Sequence, residues 1–279
     1  MAARFSPLGA RGGVLFSPGF MAPFGWERRT VVTVHDLHYL DRSITTAGHE
    51  RYFRRVIVPQ LRRCRRVLTV SDHSAAELHE VLGDAGAERA DIVVVGGGVD
   101  PLFAESPPAP ARVVPRLVFV GGDKTNKNLA AALRAVGSVV RQLPVELVVV
   151  GDVAPALRST APPEVSFVGA IGDVALAALY ASSTALLMPS IGEGFGLPAL
   201  ESLVAGTPVV FGRRGALPDL VGEWGWGVDP FDDDSVAAGI ESAISEPIEV
   251  PLAVRQGLLA AHRWDDVACR VVTAIEEVL

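Results

Sequence analysis

The chain has 279 residues, of which about half are hydrophobic, and it carries a net charge of −7 and two cysteines. This composition provides a sizeable core and excludes a disordered chain, a disulfide-stapled chain and a cysteine metal cluster. No leader-like N-terminus or membrane-spanning apolar run is recognised, so we predict a cytoplasmic protein. The charge is uneven, because residues 1–70 carry +8 and residues 71–279 carry −15. This split suggests two surfaces with different partners.

Short apolar runs alternate with longer helical patterns along the chain. The predicted strands are mostly apolar on both faces, as buried parallel strands are, and they cover residues 14–17, 30–35, 67–71, 91–95, 117–121, 146–151, 165–169, 185–189 and 208–211. Helices are predicted over residues 48–64, 72–83, 128–142, 173–182, 198–205, 234–245, 252–262 and 265–279. This alternation predicts an α/β fold with parallel sheets and right-handed crossovers.

Residues 106–115 interrupt the alternation with four prolines in ten residues. Such a segment is typical of a semi-rigid linker. We therefore expect two Rossmann-like domains, one over residues 1–112 and one over residues 113–279. Ligands of open parallel sheets bind beyond the carboxyl ends of the strands, so two such sheets facing each other would form a binding cleft.

The two lysines of the chain, Lys124 and Lys127, fall in one loop between a predicted strand and a predicted helix. Gly121 and Gly122 precede them and let the backbone approach a ligand closely. The following helix N-terminus and the lysine ammonium groups favour a phosphate. An ordinary surface loop would have the same composition, and the residues alone do not decide between these two interpretations.

A second glycine-rich turn follows the predicted strand 185–189. Its candidate donor-binding residues are Glu193, Gly194, Phe195, Gly196, Leu197 and Glu201. Carboxylates accept hydrogen bonds from sugar hydroxyls, and amides at a helix start face a diphosphate. The alternative interpretation makes Glu193 an acid favoured by the helix dipole and Glu201 a solvated helix residue.

The run Glu193-Gly-Phe-Gly-Leu-Pro-x-x-Glu201, followed by Ala205-Gly-Thr-Pro-Val-Val210, resembles the signature of the retaining glycosyltransferases of family 4, which have the GT-B fold. Other segments of the chain stand in the order of that family: Val31-Val-Thr-Val-His-Asp36, Val70-Ser71, Gly97-Gly-Val-Asp100, Phe119-Val-Gly121 and Lys127-Asn-Leu129. The resemblance covers nearly the whole chain from about residue 13. It implies transfer of a hexose from a GDP- or UDP-linked donor to a sugar or lipid-linked hydroxyl acceptor, without a metal cofactor.

The resemblance also implies roles for individual residues. It places Glu193 beside the donor sugar, Glu201 on the ribose, and Lys127 on the phosphates. An arginine usually accompanies that lysine in the family, and here Gly122 and Asn126 occupy the neighbouring positions, so Lys124 is the candidate substitute. The loop after residue 169 resembles the segment that borders the nucleobase.

His35 ends a predicted buried strand and is followed by Asp36. A histidine at the carboxyl end of a strand can donate to a sugar hydroxyl or stabilise developing charge. Taken alone, it also fits a hydrogen-bonded core histidine. The resemblance places His35 near the reacting sugar, so His35 and Glu193 are the two catalytic candidates.

The segment from Arg51 to Arg66 predicts an arginine-rich helix with an apolar stripe of Phe53, Ile57 and Leu61. One interpretation is peripheral contact with an anionic membrane, and the other is a solvated helix. Nucleic acid is not predicted as a partner, because the chain is acidic overall and lacks an interleaved aromatic platform.

Members of family 4 usually begin with a strand, a glycine-rich loop and further βα units. The glycines near residues 9–13 align better with a later segment, so two or three units of roughly 30 residues each are expected to be missing. A nucleotide-sugar-binding pseudoenzyme, or one chain of a split glycosyltransferase, is therefore the alternative function. A nucleoside-diphosphate-sugar epimerase is less supported, because no Gly-x-Gly-x-x-Gly follows the first strand.

Overall fold

The computed structural model describes residues 13–83, 91–105 and 112–279, and it contains two parallel sheets flanked by helices. The N-terminal sheet has the order β1-β2-β3-β4, with β1 Leu15–Ser17, β2 Thr30–Val34, β3 Arg66–Thr69 and β4 Asp91–Val94. The C-terminal sheet has the order β10-β9-β8-β5-β6-β7, with β5 Arg116–Val120, β6 Glu146–Val150, β7 Val165–Gly169, β8 Ala185–Met188, β9 Val209–Gly212 and β10 Gly225–Val228. The predicted α/β architecture is confirmed.

The helices pack on both faces of each sheet. Those before the C-terminal sheet are α1 Ala47–Tyr52, α2 Val58–Arg63, α3 Asp72–Leu82 and α4 Leu102–Glu105. The helices that follow β5 in the chain are α5 Leu129–Val139, α6 Pro155–Arg158, α7 Asp173–Ala181, α8 Leu197–Ala205, α9 Leu217–Val221, α10 Asp233–Ser245, α11 Leu252–Ala261 and α12 Trp264–Glu276. Every residue of β2, β8 and β9 is buried, which explains why their sequences are apolar on both faces.

The predicted helix over residues 48–64 is divided into three parts. A π-helical turn, Phe53–Ile57, separates α1 from α2. Pro59 lies in the first turn of α2, and proline has no N–H and clashes with the carbonyl four residues earlier. The wider π turn relieves that clash. The apolar stripe of this run is fully buried against the N-terminal sheet, so it is not available to a membrane.

Four short elements were absent from the sequence prediction. Strand β10 contains two glycines and a tryptophan in four residues, a composition that resembles a turn more than a strand. Helices α4, α6 and α9 have only four or five residues, which is too short for a helical period to be visible.

Two segments pack on a different domain from the one in which their sequence positions place them. Phe103 precedes residue 112, yet its ring packs 6.0 Å from that of Tyr180 in the C-terminal core. Helix α12 belongs to the predicted C-terminal domain, yet Ala274 and Val278 pack on Val31 and Leu68 of the N-terminal sheet. The chain therefore crosses between the two domains twice. Most of the predicted linker, and most of residues 9–13, lie outside the described residues.

The crossing of α12 is fixed by a buried cation. Arg66 donates to the backbone carbonyl of Ala274 at 2.8 Å and forms ion pairs of 2.6 Å with Glu277 and Asp91. Arg270 donates to the carbonyl of Val95 at 2.7 Å. These contacts hold the last helix on the N-terminal sheet and close one side of the cleft between the sheets. Within the described residues, none of the helices is long and apolar enough to cross a bilayer.

Candidate functional site

The carboxyl ends of the two sheets face each other across a cavity of about 580 Å³. His35, which directly follows strand β2, lines the cavity from the N-terminal side, and the loop after β5 contributes Lys124 and Lys127 from the C-terminal side. The glycine-rich turn before α8 lines the same cavity with Glu193, Gly194, Phe195, Gly196, Leu197 and Pro198. The structure thus brings together most of the residues that the sequence singled out.

An ion pair joins the lysine loop to the glycine-rich turn. The Lys127 ammonium donates to Glu193 Oε1 at 2.8 Å, and only 11% and 9% of the two side chains are exposed. The Asn126 amide lies 3.4 Å from the same carboxylate oxygen, and the Ile191 N–H donates to the Asn126 carbonyl at 2.8 Å. The sequence predicted both charges for one site but did not predict that they form an ion pair with each other.

Local packing explains why residues 121 and 122 of the lysine loop are both glycine. Gly122 has a φ of +62°, and a Cβ at that position would lie 2.2 Å from the Asp152 carbonyl oxygen. Gly121 has a φ of +130°, and its Cβ would lie 2.8 Å from Cγ of Lys127. The cavity wall is formed by Lys124, Asn126 and Lys127 rather than by this glycine pair. Direct contact of the two glycines with a ligand stays a prediction.

Gly194 docks the glycine-rich turn on the N-terminal domain. Its carbonyl accepts hydrogen bonds from the hydroxyls of Ser71 at 2.5 Å and Ser74 at 3.2 Å. Its Cα faces the His35 carbonyl so closely that a Cβ would lie 1.9 Å from that oxygen. The turn that holds Glu193 is therefore positioned by both domains.

Ser71 and Ser74 were not among the predicted site residues. Ser71 also caps α3, because its side chain accepts a hydrogen bond from the Ser74 N–H. The sequence shows this capping pattern, but capping alone accounts for a serine at position 71 and gives no sign that Ser71 also contacts the cleft. The bond to Gly194 spans more than a hundred residues and requires the fold.

Glu201 lies on α8 and is half-buried rather than solvated, in contrast to the alternative interpretation of the sequence. The hydroxyl of Tyr180, a fully buried residue, lies 3.3 Å from the Glu201 carboxylate. Burial raises the pKa of Glu201 to about 7, the Tyr180 hydrogen bond opposes this, Asp173 adds to the rise, and the nearby Lys127 charge lowers it. Glu201 is not among the residues that line the cavity with Lys127 and Glu193, so its contact with a ligand stays a prediction.

Stability should therefore depend on the protonation of Glu201. An unfolded chain loses this proton near the ordinary pKa of 4.5, whereas the folded chain retains it to about pH 7. Because the unfolded state releases the proton first, the free energy of unfolding should fall as the pH rises from 4.5 to about 7. Glu201→Gln should lose this part of the pH dependence in urea unfolding measured across that range. Parallel profiles for both proteins would contradict it.

His35 is not a core histidine. Its side chain is exposed on the cavity wall, and its Nε2 atom lies 3.1 Å from the carbonyl oxygen of Pro18. Its backbone carbonyl contacts the glycine-rich turn. The imidazole therefore stands on the N-terminal side of the cleft, opposite Lys127 and Glu193.

Two parallel sheets that face each other across a cleft of this kind define the GT-B fold. The sucrose-phosphate synthase of Thermosynechococcus elongatus superposes with a TM-score of 0.76 at 21% identity, over 89% of this chain and 67% of that chain. The pneumococcal O-GlcNAc transferase GtfA, solved in complex with UDP and GlcNAc, gives a TM-score of 0.68 at 19% identity, over 89% of this chain and 52% of that one.

The sequence is also similar to known glycosyltransferases. Residues 114–246 match the family described as Glycosyl transferases group 1. The O-antigen chain mannosyltransferase B of Escherichia coli is 27% identical over 94% of this chain and 73% of its own length. The MMP alpha-(1->4)-mannosyltransferase of Mycolicibacterium hassiacum is 30% identical over 89% of this chain and 65% of its own length. Residues 114–246 are thus a group 1 glycosyl transferase domain, in a chain homologous to GT-B glycosyltransferases.

Proposed function

We propose that the protein is a retaining hexosyltransferase of family 4, which transfers a hexose from a GDP- or UDP-linked donor to a hydroxyl acceptor. The observation that carries this proposal is the Lys127–Glu193 pair at the start of α8 on the wall of the cleft. Two relatives are named as mannosyltransferases, so mannose is the first sugar to test.

Donor binding exchanges the partners of that pair. The diphosphate takes the Lys127 ammonium and the amides at the start of α8, where the helix dipole favours negative charge. The Glu193 carboxylate is then released to accept hydrogen bonds from the sugar hydroxyls. Both groups are nearly buried, so each interaction is stronger than it would be in water. Lys124, which is exposed at the edge of the same cavity, adds a second positive charge.

Glu201 binds the ribose hydroxyls at the other end of the nucleotide. The Tyr180 hydroxyl holds the carboxylate in place from the buried side. A carboxylate accepts hydrogen bonds from two hydroxyls better when it is ionised, so nucleotide binding favours loss of the proton that burial retains. Lys127 and Glu201 therefore hold one nucleoside diphosphate from both ends.

The transfer step depends on positioning and charge. The bond between the anomeric carbon and the diphosphate oxygen breaks, and the acceptor hydroxyl oxygen bonds to that carbon. The diphosphate departs with the bonding electrons and takes up the proton of the acceptor hydroxyl. Lys127 and the start of α8 stabilise the charge that develops on the leaving group. His35 contacts the sugar from the opposite domain, and Glu193 orients it. The proposal includes no metal in this step.

The second candidate is a nucleotide-sugar-binding protein without turnover, or one chain of a split enzyme. The chain spans 73% and 65% of the lengths of the two mannosyltransferase relatives, and this observation favours keeping the alternative. The two candidate functions differ in whether this chain alone cleaves the bound donor.

Incubation of the purified chain with GDP-mannose and with UDP-glucose separates the two candidates. We expect release of the nucleoside diphosphate from one of the donors, because the proposed leaving-group residues, Lys127 and the start of α8, lie in this chain. Glu193→Gln should reduce release by about 10²-fold or more, since the sugar is no longer oriented. The exposed Glu164 provides a matched control, and Glu164→Gln should release product at the wild-type rate. Donor binding without release would instead support the second candidate.

A further inference from the structure

Three segments cover one face of the N-terminal sheet: the loop over residues 18–29, the helical run over residues 47–63 and helix α3. The first two are neighbours and carry most of the arginines of this face. The inward side chains of the loop include Ala22, and those of the helical run include Phe53 and Ile57, and all three pack on Val32 and Val34 of the same face. Because both segments lie on one face of one sheet, their outward side chains project from one common surface.

Direct contacts hold the loop against the helical run. The Phe20 ring lies 5.6 Å from that of Phe53 and 5.5 Å from that of Tyr39. The Arg65 N–H, just beyond the helical run, donates to the Glu27 carbonyl at 3.2 Å. The loop and the helices thus form one continuous outer layer.

This outer layer is strongly basic. Eight exposed arginines, which we call the arginine face, lie on it: Arg28, Arg29, Arg51, Arg54, Arg55, Arg62, Arg63 and Arg65. The two carboxylates in the same segments, Glu27 and Glu50, are only 7% and 9% exposed. Glu50 is already bound by Arg42 at 2.5 Å and Arg54 at 2.9 Å. A protein of net charge −7 therefore concentrates much of its positive charge in these two segments.

An apolar tip lies on the same layer. Phe24 is 80% exposed and Met21 is 53% exposed in the loop, and Tyr52 on α1 is 49% exposed. Gly25, with a φ of +80°, forms the tight turn that presents Phe24 to solvent. A single exposed apolar residue needs no explanation, but several beside an arginine cluster indicate an interaction surface.

We propose that the arginine face and the apolar tip together dock on an anionic lipid bilayer. Guanidinium groups bind lipid phosphates in two-point geometry and are attracted to the negative surface potential. Phe24 and Met21 enter the boundary between headgroups and acyl chains. Residues 71–279 carry a charge of −15, so the attraction to an anionic bilayer comes from the N-terminal part of the chain. A nucleic acid is the less suitable partner, because the chain as a whole is acidic, with a net charge of −7.

This docking does not depend on the proposed enzymatic function, because a chain that only binds a nucleotide would dock in the same way. Its test is co-sedimentation of the full chain with vesicles. One set consists of phosphatidylcholine alone, and the other is an equal mixture of phosphatidylcholine and phosphatidylglycerol. We expect partitioning into the anionic vesicles that is at least about tenfold stronger than into the neutral ones and that weakens with added salt.

Two double variants of equal charge change test the location of the surface. Arg55→Glu with Arg63→Glu alters the arginine face, and Arg141→Glu with Arg263→Glu alters exposed arginines elsewhere in the chain. The first should weaken partitioning at least about tenfold, and the second should leave it close to wild type. Phe24→Trp should show a blue-shifted emission on anionic vesicles, and Phe24→Ser should bind them more weakly.

Unchanged melting temperatures would show that these surface variants are folded. Failure of the wild-type chain to bind anionic vesicles would overturn the proposal, as would equal loss of binding in both double variants. Binding of the arginine face to an RNA or DNA oligonucleotide, with no binding to vesicles, would also overturn it and would identify a nucleic acid as the partner.

Discussion

Gly194→Ala is expected to reduce both donor turnover and nucleotide affinity, with turnover falling by about 10²-fold or more. The new methyl group would lie 1.9 Å from the His35 carbonyl oxygen, so the glycine-rich turn must move away from the N-terminal domain. That movement breaks the hydrogen bonds from Ser71 and Ser74 and displaces the neighbouring Glu193. A displacement of about 1 Å in a positioning residue costs roughly 10²-fold in rate.

The measurement is the rate of nucleoside diphosphate release, together with thermal unfolding. Gly257→Ala is the matched control, because Gly257 lies in α11 with open space around its Cα. Alanine favours a helix more than glycine does, so this control should keep wild-type turnover and gain up to about 1 kcal/mol of stability. Wild-type turnover in Gly194→Ala would show that the turn does not need its contact with the N-terminal domain.

Lys127→Ala is expected to weaken nucleoside diphosphate binding by about 1.5–3 kcal/mol, the usual contribution of a charge-assisted hydrogen bond. This free energy corresponds to a loss of affinity of roughly 10- to 150-fold in calorimetric titrations with GDP and UDP. The variant should also unfold more easily, because Glu193 would be left nearly buried without its cation.

The control for this prediction lies in the same loop. Lys124 is exposed at the edge of the cavity, and its charge is screened by solvent. Lys124→Ala should therefore weaken binding by less than Lys127→Ala does. Equal losses in the two variants would show that the loop acts through its overall charge rather than through Lys127.

Much of the fold follows from the sequence, because buried parallel strands are apolar on both faces. The nine predicted strands lie within one or two residues of the observed ones at their ends. Strand β10 was missed, since Gly225 and Gly227 have no side chains that would indicate a strand. Gly225 is needed there because a Cβ would lie 2.0 Å from the Val209 carbonyl oxygen of the neighbouring strand.

The position of α12 required the three-dimensional structure. Its amphipathic pattern predicts a helix with one apolar face but does not say which sheet that face covers. The buried Arg66 decides between the sheets, because its guanidinium needs both Asp91 and Glu277 as partners. Nothing in the sequence distinguishes Arg66 from the exposed arginines that precede it.

The sequence predicted which residues form the site, but it did not predict which of them contact each other. Glycine-rich turns at the ends of two strands indicated where a ligand would lie, and His35, Lys127 and Glu193 do line one cavity. The ion pair between Lys127 and Glu193 and the bond from Ser71 to Gly194 join residues 66 and 123 positions apart. The ion pair depends on how two loops of the C-terminal sheet meet, and the Ser71 bond depends on how the two domains meet. One sequence does not encode either arrangement in a readable pattern.

The central claim is that Lys127 and Glu201 bind opposite ends of one nucleoside diphosphate. Calorimetric titration of the wild-type chain and both alanine variants, with a nucleoside diphosphate and with the matching nucleoside, tests it most directly. Lys127→Ala should weaken binding of the diphosphate and leave the affinity for the nucleoside unchanged, whereas Glu201→Ala should weaken both. Wild-type affinities in both variants, or identical losses for the two ligands in Lys127→Ala, would contradict the claim.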